Sequence, residues 1–209
     1  MTTAIRLPSK VIESEQALRA IYPEPVDLVR RKQLERLDRH CRRFIALSPL
    51  AMLATSSADG RCDVTPRGDG PGFAQVLDDF HIVIPDRVGN NRVDAMRNIL
   101  SNPRAGLLFI IPGIHDCLRV NGAAHIVTDD WLLASMSVDG RPPAAAITIV
   151  VEEAYLHCGK AFKRSRVWDP ARFAPQGAIP PLAVMLADQT RPDRSETDLL
   201  AGAESAPLY

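Results

Sequence analysis

From Ser48-Pro49 onward the apolar residues of this chain change from helical spacing to alternation, and glycine or proline repeatedly interrupts them. Runs so short bury their side chains by pairing edge to edge, which makes the middle of the chain a sheet of short antiparallel strands. Residues 50–55 form an apolar strand, Ala58-Asp59-Gly60 a tight turn, and 62–65 the returning strand. Residues 74–77 and 81–84 flank Asp78-Asp79 as a hairpin whose second strand stops at Pro85. Residues 105–111 read as a strand buried on both faces. Residues 118–127 make a long strand with Gly122 as a bulge or close approach, and 146–156 make another. About six strands with few helices between them predict a mainly β fold, a six-stranded antiparallel barrel, closed or nearly so, with peripheral helices.

Ahead of the barrel the reading is helical. A short helix covers 14–21, and a longer one starts at about Asp27, carries Leu34, Leu37, Cys41, Phe44 and Ile45 on one face, and stops at Ser48-Pro49. Asp129-Asp130 caps a short helix over 131–136. Three regions follow: a helical extension over 1–48, the barrel over 49–187, and a polar tail over 188–209 that is mobile or embraces a partner.

Charge narrows the function. Lys+Arg and Asp+Glu are both 25, so the formal net charge is zero, which argues against a nucleic-acid binder or an electrostatic membrane binder and makes any positive patch local. No apolar run approaches the roughly 20 residues of a membrane span, and MTTAIRLPSK lacks the apolar core of a secretory signal. A soluble cytoplasmic protein is expected. Cys41, Cys62, Cys117 and Cys158 lack zinc-site spacing and read as small buried apolar residues.

Chemistry concentrates in two segments. Pro66-Arg67-Gly68-Asp69-Gly70-Pro71-Gly72 excludes helix and regular strand and reads as a loop. After the next hairpin, Asp86-Arg87-Val88-Gly89-Asn90-Asn91-Arg92 leads into a helix with Val93, Met96, Ile99 and Leu100 on one face. A strand, a Gly/Asn/Arg turn and a helix start suit an anion, and Arg87 and Arg92 add bidentate donors for phosphate. A solvated turn with two surface arginines fits those residues equally well. The second segment, 157–170, gathers a histidine, lysines, arginines, Ser165 and Trp168 directly after the last strand. If it is helical, Lys160, Arg164 and Trp168 share a face that offers two cations and an aromatic plate to a phosphorylated heteroaromatic ligand. No catalytic triad, carboxylate pair, Walker loop or dinucleotide fingerprint accompanies them.

At these residues the chain resembles the pyridoxamine phosphate oxidase-like FMN-binding split-barrel family, in a bacterial branch marked by four ordered motifs. They stand here as Pro66-Arg67-Gly68-Asp69-Gly70-Pro71-Gly72-Phe73, an IPDRVGNNR turn over 84–92, an LRVNG strand over 118–122, and the segment 157–170. The resemblance implies a six-stranded split barrel and a homodimer with FMN in the grooves between subunits. It maps the FMN phosphate onto Arg67, Arg87, Asn90, Asn91 and Arg92. Lys160, Arg164, Ser165 and Trp168 would reach the flavin from the partner, with Arg119 near the ring. The family's SRK-type phosphate signature is replaced by Asn90-Asn91-Arg92, which leaves pyridoxamine phosphate unsupported as the substrate. An FMN-dependent oxidoreductase acting with a small-molecule substrate or electron donor is one implied function. A binding or sensing module for FMN, a deazaflavin or haem is the other.

Overall fold

The computed structural model describes residues 8–190, and the chain divides between Gln33 and Leu34 into two compact units. In the first, α1 (Glu15–Arg19) and α2 (Asp27–Arg31) bury no residue. Ser14 Oγ caps α1, accepting from the Ala17 N–H at 3.1 Å.

The second unit begins with a departure from expectation. The long helix predicted from Asp27 ends at Arg31. Leu34 then exchanges backbone hydrogen bonds with Ala154 at 3.0 and 2.8 Å, and a new helix, α3 (Arg39–Leu47), starts at Asp38. Asp38 Oδ1 accepts from the His40 and Cys41 N–H groups at 2.9 and 2.8 Å, an N-cap that starts the second helix in a new direction. Burial opposes the charge on Asp38, but the hydrogen bonds from Cys41 and His40 outweigh it and hold the carboxyl below the usual carboxylate range. Asp38→Ala should cost about 1 kcal/mol at neutral pH. Because folding lowers this pKa, the ionic part of the cap is fully present above the unfolded value of about 3.9 and fades as pH falls through the folded value. Urea unfolding of wild type and variant should therefore converge on acidification, and a constant gap would refute the assignment.

Seven strands follow: β1 (Leu50–Ser56), β2 (Cys62–Gly68), β3 (Gln75–Val76), β4 (His81–Pro85), β5 (Arg104–Ile110), β6 (Cys117–Val127) and β7 (Ala146–His157). They form one sheet in the order β2-β1-β5-β6-β7-β4-β3 with every neighbouring pair antiparallel. The expected six-stranded barrel is thus a seven-stranded sheet: each of the seven runs read as strands is present, and β3, the short first arm of the hairpin, pairs on the free side of β4. Backbone hydrogen bonds do not close it, since β2 and β3 remain as edges. Helical residues are about as numerous as strand residues among those described, so "mainly β" overstates the fold. β2 also runs farther than its period suggested, through Pro66 to Gly68. An edge strand tolerates a proline whose missing N–H faces away from the ladder, and this places Arg67 on a strand instead of in a loop.

One face of the sheet closes over the main core. Leu37, Cys41 and Ile45 enter it from the α3 side, and Leu53, Ile82, Ile84, Leu107, Phe109, Leu118, Val120, Ile147 and Ile149 from the strands. Burial pushes the Cys41 thiol up to about 11, as suits a packing residue. Cys117 is buried as well, whereas Cys62 and Cys158 are exposed, contrary to their reading as core residues. β4 is apolar on both sides: between Ile82 and Ile84, Val83 turns to a second cluster with Leu132, Leu133 and Met136 of the α5 (Asp130–Ser135) region.

α4 (Asp94–Ser101) buries Ala95 and Ile99, while Val93 and Leu100 are exposed, so its inward face is rotated from the one predicted. α6 (Lys160–Ser165) follows β7, and after a single 3-10 turn at Pro170–Arg172 comes α7 (Leu182–Thr190). Most of the polar tail expected from 188 lies at 191–209, outside the described residues. Among the described residues, no helix is long and apolar enough to cross a membrane.

Candidate functional site

Strand alternation builds one wall of the site. Along β2, Asp63, Thr65 and Arg67 share the less exposed side, while Val64 and Pro66 point outward. Across from them lies the turn from β4 into α4, and the loop 140–144 completes a groove of about 1160 Å³. The candidates Arg67, Arg87, Asn90, Asn91 and Arg92 all line it. Arg141, Asp63, Asp86 and Asp94 line it as well, and these the motif reading had not assigned to the site.

The carboxylates change what the arginines do. Arg67 Nη1 donates to Asp86 Oδ1 at 2.6 Å. Arg87 Nε donates to Asp69 Oδ2 at 2.8 Å, and its Nη1 to the Met136 carbonyl at 2.8 Å. Arg92 is solvent-facing, with its side chain 73 % exposed, and pairs with Asp94 at 2.8 Å; that hydrogen bond raises its pKa further. The first two pairs cross between the motifs, Arg67 of PRGD to Asp86 of PDR and Arg87 of PDR to Asp69 of PRGD, and neither follows from adjacency in sequence.

The turn itself is strained. Asn90 Oδ1 accepts from the Arg92 N–H at 3.1 Å, and Asn91 and Val93 have φ of 59° and 52°. Asparagine tolerates this left-handed region, but a β-branched valine there is an outlier of the kind found at functional turns. Val93 is the N-cap of α4 and supplies no side-chain acceptor to its N–H groups.

The second segment is not brought to this groove within one chain. α6 ends at Arg166, whose φ of 53° stops the helix. Trp168 therefore lies beyond the helix and does not share a face with Lys160 and Arg164. Its Nε1–H donates to the Ile114 carbonyl at 2.9 Å, and its ring stacks on Phe162 at 5.9 Å. Ser165 Oγ donates to the Phe162 carbonyl at 3.1 Å. Lys160 and Arg164 are exposed. Arg119 sits on β6 opposite Tyr155, donates to its hydroxyl at 2.8 Å and packs 5.9 Å from its ring centroid. Among the described residues no group of three or more His, Cys, Asp or Glu side chains is placed to hold a metal ion.

The two ends of the antiparallel sheet thus approach across a groove lined by Arg67, Arg87, Arg92 and Arg141 together with Asp63, Asp86 and Asp94. The chain belongs to the pyridoxamine 5'-phosphate oxidase family, whose N-terminal model matches residues 37–158, more than half of its length. No curated protein matches it. Among solved structures it is similar to a putative pyridoxamine 5'-phosphate oxidase from Lactobacillus delbrueckii, with 24% identity over 59% of this chain and 98% of that one and a TM-score of 0.47. It is also similar to HupZ from Group A Streptococcus, with 22% identity, 57% and 93% coverage and a TM-score of 0.46. The heme storage protein HutZ from Vibrio cholerae follows with 17% identity, 58% and 94% coverage and a TM-score of 0.40.

Proposed function

We propose that this protein binds a phosphorylated flavin, FMN or a related deazaflavin, in the groove between β2 and the β4–α4 turn. The observation that carries the reading is Arg67: it lines the groove, yet its Nε is buried and has no hydrogen-bond partner. A buried donor left unmet costs about 1–3 kcal/mol, which a ligand oxyanion would recover through a charge-assisted bond. The residues present thus fit a phosphate. Arg67 and Arg92 would hold it, and the backbone N–H groups of Val93 and Asp94 at the start of α4 would add uncharged donors.

The donors that one chain supplies also support flavin over haem. Haem iron takes an axial His, Cys, Met or Tyr, and the residues lining the groove include none of the four. Nor do they include a lysine, so the titratable groups there are arginines and aspartates. Arginine presents a rigid fork of donors that matches an oxyanion, so this chain's groove residues are suited to bind and orient a phosphorylated ligand.

That favours a binding module for FMN or a deazaflavin. The family match favours a second reading, an FMN-dependent oxidoreductase acting on a small molecule or with an external electron donor. In it the bound flavin supplies the hydride or electron chemistry and the protein supplies position and electrostatics. Both readings extend to a homodimer in which Lys160, Arg164 and Ser165 of one subunit approach the groove of the other.

Identifying the small molecule released on denaturing the purified protein tests the proposal. A flavin phosphate is expected, and a haem spectrum or failure to bind FMN in titration would overturn it. Bleaching of bound flavin by NADH, NADPH or an amine under anaerobic conditions selects the oxidoreductase, and a flavin that none of them reduces selects the binding module.

A further inference from the structure

We infer that the two arginines flanking the groove divide two tasks: Arg67, turned by Asp86, grips the ligand's phosphate, whereas Arg87 laces the open seam of the sheet and does not touch the ligand. This rests on the reading of the groove as a phosphate-ligand site.

The seam comes first. β2 lies at one end of the sheet and β4 near the other, and they share no ladder. Two ion pairs nevertheless join them reciprocally, Arg67 to Asp86 at 2.6 Å and Arg87 to Asp69 at 2.8 Å. In each pair one partner belongs to β2 or the residues just past it, and the other follows β4. Side-chain pairs thus hold together the two ends that no backbone ladder joins.

The two guanidinium groups are engaged differently. Such a group offers two donor edges, one end-on through both Nη atoms and one side-on through Nε and Nη2. Arg67 gives Nη1 to Asp86, and this leaves the side-on edge, whose Nε is the orphaned donor. A phosphate oxygen taken by Nη2 comes within reach of Nε, the bidentate arrangement arginine prefers for oxyanions. Asp86 holds the plane of the group and so selects the edge. Arg87 commits Nε to Asp69 and Nη1 to the Met136 carbonyl, one donor from each edge. Its side chain is 19 % exposed and that of Asp69 only 11 %. Releasing Arg87 to a ligand would take a cationic partner from a nearly buried carboxylate, a costly exchange.

The test uses the full chain and two probes, FMN and riboflavin, whose affinities are read by quenching of flavin fluorescence. The ratio of their Kd values isolates the phosphate contribution. Arg67→Lys keeps the charge but lacks the side-on edge, and the ratio should fall tenfold or more. Arg87→Lys should keep the ratio while lowering Tm by about 4 °C, and Asp69→Asn, which removes the other half of that lace, should do the same.

Asp86→Asn discriminates by sign. If the carboxylate merely repels phosphate, its removal tightens FMN binding; if it positions Arg67, the ratio falls and Asp86→Glu restores it. A tighter Asp86→Asn, an unchanged ratio in Arg67→Lys, or a lost ratio with unchanged Tm in Arg87→Lys overturns the division of labour. Wild-type protein that binds FMN no better than riboflavin overturns the phosphate reading itself, and the inference with it.

Discussion

Gly122→Ala should prevent normal assembly of the β6–β7 ladder, with a loss of at least about 3 kcal/mol. The ladder shifts register between Asn121 and Gly122, and at that bulge the backbones approach so closely that a Cβ on residue 122 would lie 1.9 Å from the Val150 carbonyl oxygen and 2.9 Å from its carbon. Both obstacles are backbone atoms in the sheet's longest strand, so neither moves without breaking ladder hydrogen bonds. The cost is a large share of the roughly 5–15 kcal/mol that stabilises a domain. Urea unfolding, or failure to accumulate as soluble protein, reads the effect; an unchanged midpoint would show that the bulge has room to relax.

Phe109→Ala should cost about 3–5 kcal/mol and lower Tm on the order of 10 °C. Phe109 is 0% exposed and sits on β5 with Ala51 of β1 on one side and Leu118 of β6 on the other. Its removal leaves a void that neighbouring strands, tied by their ladders, close only in part. Phe109→Leu, which fills most of that space, should recover more than half of the loss. If alanine and leucine cost the same, the core at β5 is not the packed region described.

Much of the sheet was legible because it is written in local period. The alternation of residues 50–55 and the turn at Ala58-Asp59-Gly60 give β1 and β2, and the hairpin around Asp78-Asp79 gives β3 and β4. A lone glycine within a strand pattern marked the bulge at Gly122 correctly. What went astray were places where a distant partner outweighed the local pattern. Leu34 belongs by spacing to a helix that continues past it, yet it bridges to Ala154, and Asp38 starts a separate helix. Leu100 matches the apolar face of α4 by period but stays exposed, because Ala95 and Ile99 make the buried face. Trp168 follows Lys160 and Arg164 at helical spacing, but Arg166 turns left-handed before it.

The candidate site divides in the same way. Sequence alone determined that arginines and glycine-rich turns fall at strand ends, since residue type and period are local properties; Arg87 and Arg92 came from that reading, the motif resemblance added Arg67, Asn90 and Asn91, and all five line one groove. The division of charge between them was decided only by tertiary structure. Arg67 meets Asp86 and Arg87 meets Asp69 across 19 and 18 residues of chain. Those meetings require the twist accumulated over the whole sheet to bring β2 back toward β4. No stretch of sequence shorter than that sheet contains the information, because the pairing is a property of its curvature.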